Sequence, residues 1–318
     1  MSSRHEPPRQ LHITAPPPVA VRRDIRRPGP AAVAAAVTVV VWASAFVVIR
    51  DVGHTFSPAP MALIRLAVAT LALTVIALAT RTRAGATGVG RVPRRAIPLV
   101  VGYGIMWLAG YTVALNAAEQ HVDAGTAAFL VNVAPLLVAF GAGWLLGEGF
   151  PRALVIGSLV AFGGVGIIAM GSSGQRNGVG VALCLLAAGL FASGVLLQKV
   201  ALRYVDGLTA IWIGCAVGTT VLLPWLPQLL DELRDASAAA VVGAVYLGLV
   251  PTALGFTLWA YALRRMTAGR LSTATYAVPA VSVAMSWLFL SEIPTLLGLA
   301  GGVICLVGVA LSHRTSGK

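Results

Sequence analysis

The sequence has little charge. Only 11% of its 318 residues are Asp, Glu, Lys or Arg, against 58% hydrophobic, where a soluble domain carries about 25% charged residues. So few charges do not cover a water-facing surface, and with a mean hydropathy of +0.86 the chain is written for a bilayer. Cysteine is also scarce. Cys184, Cys215 and Cys305 all fall in apolar runs, with no CxxC or His/Cys ligand spacing. That excludes a disulfide framework and a zinc site, and leaves them as small packing residues. No Asp, Glu or His stands in the middle of an apolar run, so neither a buried proton relay nor a metal centre is written into the chain.

Catalytic signals are missing too. Gly171-Ser172-Ser173-Gly174 matches a G-x-S-G string, but it lies in a connecting segment. His5, His12, His54, His121 and His313 all stand outside the apolar runs, so no nucleophile meets a base. There is no P-loop and no GxGxxG between a strand and a helix, hence no encoded ATP drive. The formal net charge of +12 comes without a basic stripe interleaved with aromatics, so nucleic acid is not an expected partner. No enzyme activity, cofactor or metal is expected.

What the sequence does have is a repeat. Ala124-Gly125 aligns with Ala268-Gly269, Pro135 with Pro279, Glu148 with Glu292, Gly157 with Gly301 and Gly164 with Gly308, all at one offset of 144 residues. Each copy is an apolar run holding a proline, a Glu turn, and a second run with spaced glycines. A membrane chain built from two copies of one unit usually places its working site between them.

A membrane-crossing helix needs about 20 apolar residues. Ten such spans are expected, at 31–50, 59–80, 97–118, 124–146, 152–170, 179–200, 208–227, 238–262, 270–290 and 294–312. The first apolar run is too long for the core of a cleaved signal, so it is read as an uncleaved first helix. Residues 1–30, rich in Pro and Arg, read as a disordered basic cytoplasmic tail, and 313–318 as a short cytoplasmic tail. With both termini inside, every one of the 23 Lys and Arg residues is on the inner side except Arg50, Arg65, Arg176 and Arg234. This is a strong positive-inside bias.

Five helices per copy, an odd number, force the second copy to insert upside down. Trp42-Ala43-Ser44-Ala45-Phe46 pairs with Phe191-Ala192-Ser193-Gly194-Val195, and Arg50 with Lys199, at opposite faces of the membrane. The expected architecture is therefore an all-α membrane protein of ten helices. It consists of two inverted five-helix repeats, 31–170 and 178–312, multi-pass in the cell (inner) membrane.

The residues then carry a resemblance. W-A-S-A-F-V-V-I-R at 42–50, A-L-I-R-L at 62–66, A-P-L-L at 134–137 and L-L-G-E at 145–148 occur in that order, with V-P-A-V at 278–281 and L-S-E at 290–292 repeating the last two. The pattern resembles the EamA-type transporters of the drug/metabolite transporter superfamily over roughly residues 31–312. The resemblance implies export of a small metabolite, an amino acid or related compound, through a central cavity. Alternatives are a nucleotide-sugar or phosphorylated-metabolite antiporter, which would want two or more cations in the cavity, and a non-transporting scaffold or receptor, for which the chain has no extramembrane domain. The second copy departs from the first in lacking an Arg to match Arg65.

The candidate cavity residues follow from cost and spacing. Arg65 lies about seven residues into its span, where an Arg costs about 2.5–3.5 kcal/mol. It either meets a substrate anion or snorkels to the interface and pairs with carbonyls or Asp51. Tyr103, Trp107 and Tyr111 recur every four residues on one helix face, beside Gly104 and Gly110. They suit either a stacking wall for a flat or cationic solute or plain packing. Trp42 leads the first-helix motif, and the helix matching the aromatic one offers Tyr246, Phe256 and Trp259.

Asn132 and Tyr276 stand three residues before Pro135 and Pro279. The Asn contacts solute or glues helices, and the prolines set a kink that is either static or a rocking point. Glu148 and Glu292 close two turns, as caps or as gate contacts, Glu148 to a cation such as Arg152. The partners expected are a small-molecule substrate and the lipid bilayer, and the oligomeric state is open. Without a mid-membrane acid, facilitated exchange fits better than proton coupling.

Overall fold

The computed structural model describes residues 29–84, 92–121, 130–170, 178–290 and 296–312. The two tails expected from the sequence lie almost wholly outside these, as do Ala124-Gly125, Glu292 and the side chains of Arg50 and Cys305. Among the described residues the chain is helical, with no strand.

In chain order the helices are α1 (Pro30–Val52), α2 (Pro58–Ala84), α3 (Ile97–Ala118), α4 (Ala134–Leu145), α5 (Arg152–Met170), α6 (Gly178–Ala201), α7 (Gly207–Asp235) and α8 (Ala238–Leu263). They are followed by α9, made of Ala268–Thr273, a 3-10 turn Ala274–Tyr276 and Ala277–Leu290, and by α10 (Leu296–Ser312). Five of them, α2, α3, α6, α7 and α8, are long and apolar enough to cross a membrane.

Local sequence explains where they begin. Prolines 30, 58, 98 and 135 sit in first turns, where a missing N–H costs nothing. Asp206, Ser237 and Thr267 cap α7, α8 and α9 by accepting from the backbone N–H of Thr209, Ala240 and Arg270. Several threonine hydroxyls inside apolar helices are satisfied four residues back, as in Thr38 to Ala34 O (2.8 Å) and Thr70 to Leu66 O (2.8 Å). Side chains on the outside are apolar: Leu71, Val242 and Leu288 are 67%, 68% and 75% exposed. That pattern suits lipid rather than water. Cys184 and Cys215 are buried and unbridged, as packing residues should be.

The packing is duplicated. α1 packs on α8 and α9, and α6 on α3 and α4; α2 packs on α7 and α8, and α7 on α2 and α3; α5 pairs with α10, and the first turns of α9 with α4. Exchanging each helix for the one five places on maps this set of pairs onto itself. Two of the self-mapping pairs run antiparallel. In α5/α10, a Cβ on Gly157 would meet Ser312 N at 2.4 Å, and one on Gly308 would meet Ala161 N at 2.3 Å. Backbones this close need small residues. In α2/α7, the Ser57 N–H donates to Glu232 Oε2 (3.0 Å) near one end and Trp212 Nε1 to Thr74 Oγ1 (2.7 Å) further along.

Three features depart from the sequence reading. The seventh helix does not stop near 227. After a 3-10 turn at Leu223–Trp225 it continues to Asp235, because Leu229 and Leu233 reach inward while Asp231, Arg234 and Asp235 face out. The fourth helix, expected from 124, is interrupted by a turn at 132–133 and runs unbroken only from Ala134. Both α3 and α8 widen into π-helix, at Gly104–Tyr111 and Gly248–Leu254, and the two segments start at the repeat offset.

In α8, Pro251 removes one backbone donor, but α3 widens without a proline. The shared feature is a close crossing. A Cβ on Gly104 would stand 2.7 Å from the carbonyl oxygen of Gly214 in α7, and one on Gly248 2.8 Å from that of Arg65 in α2.

Candidate functional site

Aromatic rings from both halves meet in the middle of the bundle. Trp42 of α1 lies 6.1 Å from Trp107 of α3, 5.3 Å from Phe256 and 5.0 Å from Trp259 of α8, centroid to centroid. Trp107 is also 4.8 Å from Phe191 of α6, edge to face, the geometry ring quadrupoles favour. Two glycines make the seats. A Cβ on Gly194 would fall 2.4 Å from that of Trp107, and one on Gly255 would fall 2.9 Å from Trp42 Nε1. That indole N–H donates to Pro251 O (3.1 Å), so the π segment of α8 fixes the Trp42 ring.

Beside the rings lies a cavity whose empty volume, mouth included, is about 750 Å³. Its wall comes from α1, α2, α3, α4, α6, α8, α9 and the segment leading into α4. Trp42, Trp107, Tyr111, Phe191 and Phe256 supply aromatic faces; Arg65, Thr112, Asn116, Asn132 and Thr275 supply polar groups; Ala45, Ile49, Leu115, Val131, Ala134, Pro135 and Val278 complete it. Among the described residues, no Asp, Glu, His or Lys is in this wall.

Arg65 is held there rather than paired away. Its Nε donates to Thr252 Oγ1 (2.6 Å), and the Thr252 hydroxyl donates in turn to Leu247 O (2.8 Å). Asn116 is oriented by donating from Nδ2 to Pro58 O (3.1 Å).

Of the residues expected at the site, the structure brings Trp42, Arg65, Trp107, Tyr111, Asn132 and Pro135 together around the cavity. Tyr103 is elsewhere. It is fully buried and its ring fills the slot left by Gly214, whose Cβ would lie 2.5 Å from Tyr103 Cε1. Its ring still meets Trp107 edge-on, with centroids 5.9 Å apart, so it backs the wall without lining it. Trp259 is buried behind Trp42 and Phe256, outside the wall. Tyr246 shares a hydrogen bond with Ser44 (2.7 Å) between α8 and α1, and Tyr276 is buried against α5 and α10 beside Ala161 and Val165.

Thr252, Thr112, Asn116 and Thr275 were not singled out from the sequence. A Thr in an apolar helix is unremarkable there, and only the position of Thr252 opposite Arg65 gives it meaning.

Pro135 and Pro279 each follow an interruption, a turn at 132–133 and the 3-10 turn Ala274–Tyr276. Asn132 and Tyr276 stand in those breaks.

Glu148 sits between two glycines of positive φ, Gly147 at 69° and Gly149 at 71°, a bend that only Gly adopts cheaply. The bend sends its carboxylate to the start of α9. Oε1 accepts from Ala268 N (2.9 Å) and Oε2 from Gly269 N (3.3 Å), rather than either oxygen from Arg152. The positive end of the α9 dipole favours this contact. At the same end of the bundle Lys199, the last-turn cation of α6, donates to Leu263 O and Met266 O at the end of α8. The α8–α9 connection is thus clamped from both sides. Glu292 lies outside the described residues. Among the described residues no group of His, Cys, Asp and Glu could hold a metal.

Comparison with known proteins gives the site a context. The EamA-like transporter family matches the chain twice, over residues 29–170 and 178–314. A probable terminal-alkyne amino-acid exporter of Streptantibioticus cattleyicolor is 36% identical over 88% of this chain and 93% of its own. An uncharacterized transporter of Bacillus subtilis, YdfC, is 32% identical over 87% and 89%. A solved structure at 17% identity shares the fold, with a TM-score of 0.74 over 90% of this chain and 98% of the other. With two copies of that unit in one chain, the protein belongs to the EamA-like transporter family: it is a multi-pass membrane transporter of small metabolites, and not an enzyme.

Proposed function

We propose that the protein exports an amino acid or a closely related metabolite from the cell, by alternating access through the cavity between its two halves. The observation that carries this reading is the asymmetry of that cavity. Its wall draws on both copies, while the α8–α9 end is tied shut by Glu148 and Lys199. In this proposal all ten helices span the inner membrane and both termini are cytoplasmic, in keeping with the positive-inside bias. The clamped end is then cytoplasmic and the present state faces outward. The antiparallel pairing of α2 with α7 and of α5 with α10 supports an inverted second copy.

The substrate class follows the relative named as an amino-acid exporter, and a wall of aromatic faces with a few polar groups suits an amphipathic solute. One cation among the described wall residues, Arg65, fits a singly charged acid better than a sugar nucleotide. With no carboxylate or imidazole among the described wall residues, this reading has exchange uncoupled from protons inside the cavity.

The test is counterflow in proteoliposomes holding only this protein, with labelled amino acids, polyamines, nucleosides and sugar phosphates. Saturable exchange of an amino-acid class, unchanged by an imposed pH gradient, is expected. Exchange of sugar phosphates alone, or none by a folded preparation across the panel, would refute it.

A further inference from the structure

The two helix crossings that widen α3 and α8 are the same construction with different residues in it. At the α3/α7 crossing the residue whose carbonyl meets the glycine is Gly214. Its missing side chain leaves room for Tyr103, with Leu108 Cδ1 3.0 Å from where a Cβ would be. At the α2/α8 crossing the residue in that place is Arg65, and the α8 residue at the repeat offset from Leu108 is Thr252. An apolar pair in one copy is a cation and its acceptor in the other.

The consequence is a charge with work left to do. Thr252 occupies only Nε, and its own proton is committed to Leu247 O, so the hydroxyl presents a lone pair to Arg65 and fixes the fork. Among the described residues no carboxylate pairs with Arg65. The two terminal nitrogens therefore keep their donors, in a wall that Arg65 shares with Trp42, Trp107, Phe191 and Phe256. A planar fork beside an apolar slot matches a ligand with one carboxylate and one apolar body.

We propose that Arg65, positioned by Thr252, is the carboxylate subsite of the cavity, and that the substrate is a neutral amino acid or similar monocarboxylate whose apolar side chain lies among the aromatic rings. This rests on reading the cavity as the transport site. Acidic amino acids bring a second carboxylate, for which the described wall residues hold no second cation. Decarboxylated amines bring a cation to Arg65, with no acid among those residues to receive it.

The experiment uses the purified full chain with matched probes: norleucine and phenylalanine, their primary amides, and pentylamine and phenethylamine. Binding is read by tryptophan fluorescence, since Trp42 and Trp107 are in the wall, and transport by counterflow. The acids are expected to bind on the order of 30-fold more tightly than their amides. Arg65→Gln should abolish that preference, Arg65→Lys should keep part of it, and Thr252→Val should weaken the acids several-fold with binding of the amides unchanged.

Thermal melting of each variant reports its fold, and Thr252→Val, the mildest change, keeps the test open if Arg65→Gln does not fold. Equal binding of acid and amide by the wild type, or an undiminished preference in a folded Arg65→Gln or Thr252→Val, would overturn the assignment. Exchange that ignores the carboxylate would sink this subsite and spare the transport reading. Arg65-dependent binding without exchange would do the reverse.

Discussion

Among the described residues, the two ends of the cavity differ in the groups that stand there. At the α8–α9 end, four hydrogen bonds join charged side chains to helix ends: two from backbone N–H groups to Glu148 and two from Lys199 to carbonyls. Toward the other end the described wall residues are Ile49, Leu115, Asn116 and Asn132. The α8–α9 end is also packed, with Leu263, Ala268 and Leu271 fully buried in the main core, so the caps add polar ties to an apolar closure. Charge-assisted bonds of about 1.5–3 kcal/mol each are strong enough to define a state and weak enough to be released. The same residue types recur for the opposite end: Glu292, Arg50 and Ala124-Gly125 stand at the repeat positions of Glu148, Lys199 and Ala268-Gly269.

The largest effect is expected at the close α5/α10 pair. Gly308→Val puts a Cβ 2.3 Å from Ala161 N, a backbone atom that cannot yield. Overpacking costs typically 1–3 kcal/mol where side chains give way, and more is expected here. The variant should be lost from the monodisperse peak in size-exclusion chromatography, while Gly163→Val, with open space around it, should run as wild type.

Glu148→Ala tests the closed end itself. It removes two charge-assisted bonds, and the accessibility of the cavity from that end should rise about 10- to 100-fold in thiol-labelling rate. Glu292→Ala sharpens the same comparison with the opposite sign, since it should favour the present state and slow labelling from the clamped end by a similar or smaller factor. The smallest effect is expected from Tyr246→Phe. It loses only the bond to Ser44, worth about 1 kcal/mol, so the melting temperature should fall by a few degrees with the two ends unchanged.

Much of the scaffold is legible in the sequence because it is written twice. The 144-residue offset predicts the paired prolines, the paired Glu turns and the glycines that let α5 and α10 touch. Trp42, Arg65, Trp107 and Tyr111 can be named from cost and spacing, and they share one cavity. The π segments cannot be read, because their cause is a crossing between residues far apart in the chain: Gly104 with Gly214, and Gly248 with Arg65. The place of Tyr103 is likewise set from afar: its ring touches Trp107 but fills the slot at Gly214 in α7, outside the cavity wall. Thr252 is hidden for the same reason, since its role depends on a partner 187 residues away. The end of α7 is hard to read because Leu229 and Leu233, among charged residues, carry the helix on to Asp235.

The most direct measurement is thiol labelling of Val278→Cys, a cavity-wall position, with Cys184, Cys215 and Cys305 replaced by Ala. An impermeant reagent would be added to right-side-out and to inverted membrane vesicles. The account predicts labelling chiefly from outside, protection by a transported amino acid, and labelling from inside once Glu148 is changed to Ala. Equal labelling from both sides in the unaltered protein, or an inside rate that ignores Glu148→Ala, would contradict a cavity held shut at its cytoplasmic end.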